Sequence, residues 1–92
     1  MSEEGSKEAR KMAFILMNVK VGTEQKVLEE IKKIPQVKEA YITMGGRDMI
    51  VKVVGSNIRE IYDVVLNQIR HMPYISQTVT LVVAGDVKEE SK

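Results

Sequence analysis

The apolar positions of this chain follow two different spacings, and the two segments with helical spacing repeat nearly the same apolar pattern. Residues 27–37 read VLEEIKKIPQV, and residues 65–75 read VLNQIRHMPYI. In both segments the apolar side chains recur at the period of one helix face, while the polar side chains between them differ. Each segment then reaches a proline, Pro35 or Pro73, that disfavours continuation of a helix. The pattern predicts two similar amphipathic helices.

Residue types that commonly cap helices precede both segments. Thr23 is followed by Glu24, which places a hydroxyl and an acidic side chain at the start of the first helix. Asn57 lies three positions before Glu60, the spacing of a capping box. We therefore predict that Thr23 and Asn57 are the N-caps, and that the second helix extends over residues 58–72.

Four segments of strand-like length and composition flank the helices. They are AFILMNV at 13–19, VKEAYITM at 37–44, DMIVKVV at 48–54 and ISQTVTLVV at 75–83. Gly45 and Gly46 predict a tight hairpin between the second and third strands. With right-handed crossovers, the order β-α-β-β-α-β predicts an α+β fold, the ferredoxin-like sandwich, in which two helices cover one face of a four-stranded antiparallel sheet.

The length of 92 residues allows one hydrophobic core. We expect a single folded domain over residues 12–84, a disordered tail over 1–11 and a flexible tail over 85–92, because both ends are rich in charge and lack core signals.

The first and last strands are apolar at consecutive positions, AFILM at 13–17 and LVVA at 81–84, and we expect them to be the two central strands. A sheet with helices on one side and water on the other alternates apolar and polar residues. Apolar residues on both faces predict that the uncovered face packs on a second copy of the chain. The predicted homodimer interface consists of Phe14, Leu16, Leu81 and Val83. A shift of one residue would exchange the two faces.

Composition excludes several function classes. Fourteen basic and thirteen acidic residues give a net charge of +1, and the third strand has no aromatic side chain, so we expect no direct binding to DNA or RNA. Without cysteine and with one histidine, His71, we expect no disulfide, metal site or cofactor. No nucleophile and base are paired in the sequence, so we predict no catalytic residues and no enzyme. No signal peptide or membrane span is apparent, which predicts a cytoplasmic protein without a membrane partner.

The stretch MGGRDMIVKV resembles the GxxD hairpin and third strand of the RAM domain, the effector-binding domain of the Lrp/AsnC family. The stretches MNVKVGTEQKVLEEIKKIPQVKEAY before it and IRHMPYISQTVTLVV after it are similar to the same domain, so the resemblance covers residues 12–84. Family regulators carry a helix-turn-helix domain in front of this domain. The short charged N-terminus cannot form one, so the chain resembles the stand-alone members.

This resemblance implies a homodimer packed sheet to sheet, a ring of such dimers, and an amino-acid effector bound at the contacts between dimers near the GxxD hairpin. It also implies a full-length Lrp/AsnC regulator as a further partner. Asp48 would accept the effector's ammonium group, backbone N–H groups of the hairpin glycines would bind its carboxylate, and threonines of the last strand would offer hydroxyls. The predicted effector site comprises Met44, Gly45, Gly46, Arg47, Asp48, Thr78 and Thr80.

Each of these residues also has a structural interpretation. The glycines and Asp48 are typical of a turn, and the threonines are typical of a strand. Arg47 and Tyr74 depart from the family pattern; Arg47 fits either an effector with a second carboxylate or an ion pair between dimers. The alternative functions are an ACT-like allosteric module and a small dimeric ferredoxin-like enzyme.

Overall fold

The computed structural model describes residues 10–87 and contains the predicted order of elements. The strands are β1 (Lys11–Val19), β2 (Val37–Ile42), β3 (Met49–Gly55) and β4 (Ile75–Val82). The helices are α1 (Glu24–Ile31) and α2 (Ile58–Val64), and α2 continues directly into a π-helical segment, Val65–Ile69. The β-α-β-β-α-β order confirms the predicted fold class.

The four strands form one antiparallel sheet in the order β2-β3-β1-β4. The prediction that the first and last strands are both central was wrong for the last one, because β4 lies at an edge and β3 lies in the centre. After α1, the chain forms β2 at the far edge of the sheet, not directly beside β1. The hairpin then places β3 between β2 and β1, and β3 pairs with both strands.

Both helices pack on one face of the sheet, which we call the inner face. Its strand residues Ala13, Ile15 and Met17 are fully buried, as are Met49, Val51 and Val53 of β3. The helices contribute Val27, Ile31, Ile61, Val64 and Ile69 to the same core. The opposite side, which we call the open face, carries the alternate side chains of the same strands.

The open face displays every residue of the predicted interface. Phe14 pairs with Leu81 across β1 and β4, and Leu16 pairs with Val79 on that side. Val83 follows β4, and its N–H donates to the carbonyl of Met12 at 2.8 Å. Val83 therefore lies opposite Met12, on the same face of the sheet as Phe14 and Leu81. The sequence therefore assigned Phe14, Leu16, Leu81 and Val83 to one common face; their role as an interface stays a prediction.

The two predicted caps differ in the structure. The side chain of Asn57 accepts a hydrogen bond from the N–H of Glu60 at 2.8 Å, as predicted, and the Glu60 carboxylate accepts from the N–H of Ser56 at 2.8 Å. Thr23 occupies the N-cap position of α1, but its hydroxyl donates to the carbonyl of Lys20 at 2.6 Å instead of capping the helix. The predicted side-chain cap at Thr23 was therefore wrong, because a nearer backbone acceptor takes the hydroxyl.

The two chain ends extend the folded part beyond residues 12–84. Arg10 and Val87 form an antiparallel bridge with N···O distances of 2.9 and 2.7 Å, and Lys11 forms an ion pair with Asp86 at 2.7 Å. The rest of the predicted tails, residues 1–9 and 88–92, lies outside the described residues. Within residues 10–87, no helix has both the length and the apolar character needed to cross a membrane.

Candidate functional site

An open cleft of about 540 Å³ lies beside the edge strand β4. Two arginines line it, Arg47 from the hairpin between β2 and β3, and Arg70 from the end of the π-helical segment. Ser76, Gln77 and Thr78 contribute polar side chains from β4, while Ile75 and Val79 contribute apolar ones. Its volume lies in the range of roughly 300–1,000 Å³ that is typical of small-molecule sites.

The hairpin that carries Arg47 is longer than the predicted tight turn. Residues 43–48 connect β2 to β3, and the loop is closed by a hydrogen bond from the N–H of Thr43 to the carbonyl of Asp48 at 2.9 Å. The Thr43 hydroxyl donates to the carbonyl of Arg47 at 2.8 Å. Gly45 has a φ of 132°, which requires glycine, whereas Gly46 has no positive φ. Only one of the two glycines is therefore explained by backbone conformation.

Asn18 joins the hairpin to the end of β1. Its amide nitrogen donates to the carbonyl of Gly46 at 3.2 Å, and its amide oxygen accepts from Nη1 of Arg47 at 2.8 Å. The same Nη1 donates to Gln77 Oε1 at 3.3 Å. These bonds hold one end of the guanidinium between β1 and β4. The other guanidinium nitrogens of Arg47 have no hydrogen bond to any residue within 10–87.

A register shift between Asn18 and Val19 accompanies this junction. The pairing passes from Asn18 opposite Gln77 to Val19 opposite Ile75, so Ser76 is the additional residue of β4. The Ser76 hydroxyl donates to the Asn18 carbonyl at 3.2 Å. Since bulges bend a strand and redirect its side chains, this one shapes the part of β4 that lines the cleft.

Asp48 points toward β1 rather than into the cleft. Its Oδ2 accepts from the N–H of Val19 at 3.0 Å and from the Asn18 amide at 3.4 Å, and its own N–H donates to the carbonyl of Met17 at 2.9 Å. Asp48 is not among the residues that line the cleft. The carboxylate thus supplies a partner to a backbone group at the register shift rather than to a group of the turn, and its predicted role in effector binding stays a prediction.

The two predicted threonines lie on the same side of β4 but at different places. Thr78 pairs with Met17 and Thr80 pairs with Ile15, so both belong to the inner face at the sheet edge. Only Thr78 lines the cleft. Met44 is 98% exposed, and it lies outside the cleft with Gly45 and Gly46. Of the seven predicted effector-site residues, the structure brings Arg47 and Thr78 together around this cleft.

The free edge of β4 adds backbone groups to the site. Val83 N–H bonds to Met12 C=O, so Leu81, Val79 and Gln77 also direct their backbone groups toward β1 by the alternation of an antiparallel pair. The N–H and C=O of Thr78 therefore point toward the free edge. They offer one donor and one acceptor beside the cleft.

Sequence reasoning missed Arg70, Ser76 and Gln77. The N–H of Arg70 donates to the carbonyl of Val65 at 2.9 Å, which is the wide hydrogen bond of a π-turn. A wider turn changes the direction of the side chains that follow it, so a regular helical period places Arg70 incorrectly. The available signal was an arginine at the predicted end of the second helix, close to the strand that carries Thr78.

The cleft is electropositive and rich in hydrogen-bond donors. Its lining contains two guanidinium groups and no carboxylate. Arginine remains charged at any physiological pH and binds carboxylates through paired N–H groups. The arrangement is suited to a small anionic ligand that also makes hydrogen bonds to hydroxyl, amide and backbone groups.

A smaller cavity of about 240 Å³ lies between α1 and the turn before β4, lined mainly by apolar groups. At its rim, Nζ of Lys26 lies 4.8 Å from the ring centre of Tyr74 and 3.1 Å from its hydroxyl oxygen. Tyr74, which departs from the family pattern, thus packs against α1. Among residues 10–87 no cluster of three or more potential metal ligands occurs.

A sequence model of the Lrp/AsnC ligand binding domain matches residues 12–92. An uncharacterised HTH-type transcriptional regulator from Pyrococcus abyssi is 41% identical over 68 residues, which cover 74% of this chain and 45% of the regulator. The chain spans about half the length of the curated relatives it matches.

Solved structures agree with this similarity. The crystal structure of a hypothetical protein from Pyrococcus horikoshii is 38% identical with a TM-score of 0.77, and the match covers 79% of this chain and 88% of that one. A transcriptional regulator from Neisseria meningitidis, solved as a complex with L-Met, has a TM-score of 0.75, covering 97% of this chain and 58% of that one. Its identity of 15% supports the fold alone. The sequence and structural matches together show that this chain belongs to the Lrp/AsnC family and contains its ligand binding domain.

Proposed function

We propose that the protein is a regulatory module that binds a small amino-acid effector in the cleft beside β4. The observation that carries this proposal is the position of Arg47, whose guanidinium is held by Asn18 and Gln77 and lines the cleft together with polar side chains of β4. A guanidinium can bind the effector's carboxylate, and the free backbone carbonyl of Thr78 can accept from its ammonium.

The family supports a ligand-binding role, because the chain carries the ligand binding domain of a regulator family. A neighbour that shares the fold was solved with L-Met, which shows that this fold can hold an amino acid in that protein. We propose no catalytic role, because the curated relatives are transcriptional regulators. A full-length regulator of the same family is the proposed further partner.

We propose that the protein self-associates through its open face. Phe14, Leu16, Leu81 and Val83 share this face, and Leu81 is 52% exposed in the single chain. Apolar patches of this kind commonly mark protein interfaces. The proposed homodimers would associate further into a ring, which would place the effector cleft at the contacts between dimers.

The effector proposal is tested by measuring melting temperatures with each of the twenty amino acids. A ligand present at a hundred times its dissociation constant adds about 2.7 kcal/mol to the free energy of unfolding, so a bound amino acid raises the melting temperature. Arg47→Gln should remove this increase. Arg59→Gln is the matched control, because Arg59 is an exposed arginine on α2 outside the cleft. The proposal fails if no amino acid stabilises the protein, or if Arg47→Gln responds as the wild type does.

Asp48→Asn separates the two interpretations of Asp48. Asparagine keeps an oxygen that can accept from the N–H of Val19 but removes the negative charge. If Asp48 binds the effector's ammonium, the ligand-induced increase in melting temperature is lost while the unliganded protein stays folded. If Asp48 only supports the end of β1, the increase persists.

A further inference from the structure

Two cationic side chains line the cleft. Arg47 approaches from the hairpin loop, and Arg70 approaches from the end of the π-helical segment. None of the residues that line the cleft carries a negative charge. Asp48, the neighbour of Arg47 in sequence, turns its carboxylate toward Val19 and Asn18 instead. The two guanidiniums therefore lack an anion from the cleft itself.

Both guanidiniums retain donors for a ligand. Arg47 uses Nη1 for Asn18 and Gln77, which leaves its other nitrogens without a hydrogen bond in the described part of the chain. The Arg70 side chain forms no ion pair or hydrogen bond with residues 10–87, and Arg70 is exposed. Each arginine can therefore bind one carboxylate through paired N–H groups.

We infer that the cleft selects an amino acid with an acidic side chain, one carboxylate for Arg47 and the other for Arg70. This inference rests on the proposed function and specifies the class of effector. An effector with one carboxylate would leave the second guanidinium without an anionic partner in the cleft, so one charge-assisted hydrogen-bonding group would go unused. An acidic side chain provides the missing partner. Ser76, Thr78 and Gln77 then supply neutral hydrogen bonds around the ligand.

The test compares ligands of nearly equal shape that differ in one charge. Isothermal titration calorimetry of the full chain, at one ionic strength, would measure L-glutamate against L-glutamine and L-aspartate against L-asparagine. We expect the acidic member of a pair to bind at least about tenfold more tightly, since a charge-assisted hydrogen bond is markedly stronger than a neutral one.

Arg70→Gln should lower the affinity for the acidic ligand and leave the affinity for the amide ligand nearly unchanged. The two ligands should then bind this variant about equally tightly. Arg59→Gln is the control for a general loss of positive charge and should keep the wild-type preference. The inference is overturned if the amide binds the wild type as tightly as the acid, or if Arg70→Gln keeps the preference. Binding of neutral amino acids alone would overturn this inference and leave the proposed function standing, whereas binding of no amino acid would overturn both.

Discussion

The two faces of the sheet are built from the same strands but are completed in different ways. On the inner face, Ala13, Ile15 and Met17 are fully buried because α1 and α2 pack over them. On the open face, Leu81 is 52% exposed and Tyr41 is 55% exposed. Residues of one sheet thus have different surroundings according to the face on which they lie. Apolar composition alone does not distinguish a side chain that stabilises the single chain from one available to a partner.

The difference has an energetic consequence. Full burial of a large aliphatic side chain contributes about 1.5–3 kcal/mol, and the inner face gains this contribution when a single chain folds. The open face can gain it only when a second surface covers it. Polar contacts differ as well. On the open face, Glu39 contacts Lys52 at 3.2 Å and the Tyr41 hydroxyl at 2.9 Å, while Glu60 at the start of α2 accepts from the Gln36 amide at 2.9 Å.

The largest expected effect comes from placing a charge on the inner face. Ile15→Asp would bury an unpaired carboxylate at a cost of several kcal/mol, comparable with the whole stability of a small domain, about 5–15 kcal/mol. We expect this variant to be unfolded by circular dichroism at 25 °C. Leu16→Asp is the matched control one residue away on the open face and should keep a folded spectrum. If both variants unfold alike, the open face is as necessary for folding as the inner face.

The next effect concerns association. Leu16→Asp places a charge within the proposed interface, so it should have the mass of a monomer in solution, whereas the wild type should have the mass of a dimer or of a ring of dimers. Size-exclusion chromatography with light scattering at micromolar concentration would measure this. Leu66→Asp changes another apolar residue, 48% exposed on the π-helical segment, and should keep the wild-type mass. A monomeric wild type, or a dimeric Leu16→Asp variant, would contradict an interface on the open face.

The smallest expected effect is a difference between Glu60 and Glu39 in how much each carboxylate contributes to the loss of stability in acid. The Gln36 amide and then the Ser56 N–H lower the pKa of Glu60 below its ordinary value of 4.5. A depressed pKa in the folded state stabilises the protein above about pH 4.5, and this contribution is lost as the pH falls through the folded-state pKa. Glu60→Gln should therefore flatten the fall in melting temperature below that pH.

Glu39→Gln is the comparison on the open face. The Tyr41 hydroxyl and then Lys52 lower the pKa of Glu39, but its carboxylate is exposed and solvent screens the interaction. We expect a smaller change for Glu39→Gln than for Glu60→Gln in melting curves recorded between about pH 3 and 7. A larger change for Glu39→Gln would show that the open-face contacts dominate the acid sensitivity.

The candidate site was only partly accessible to sequence reasoning. The hairpin and the last strand were predicted to meet, and Arg47 and Thr78 do line one cleft. Arg70 was missed because the π-helical segment before it breaks the regular helical period. Gln77 was missed because its contact with Arg47 joins positions 30 residues apart and depends on the register at Asn18. Asp48 was assigned to an effector, although the structure gives its carboxylate partners at the end of β1.

The order of elements and the common face of Phe14, Leu16, Leu81 and Val83 could be predicted from the sequence alone, whereas α1 ends at Ile31, before Pro35. These features follow from periodicity and local backbone preferences, which neighbouring residues encode. The tertiary structure decided that β4 is an edge strand, that Asp48 faces β1 and that Arg70 joins Arg47 beside the cleft. Those outcomes depend on strand pairing, a register shift and a π-turn, which arise when distant segments pack together and have no periodic signal in the chain.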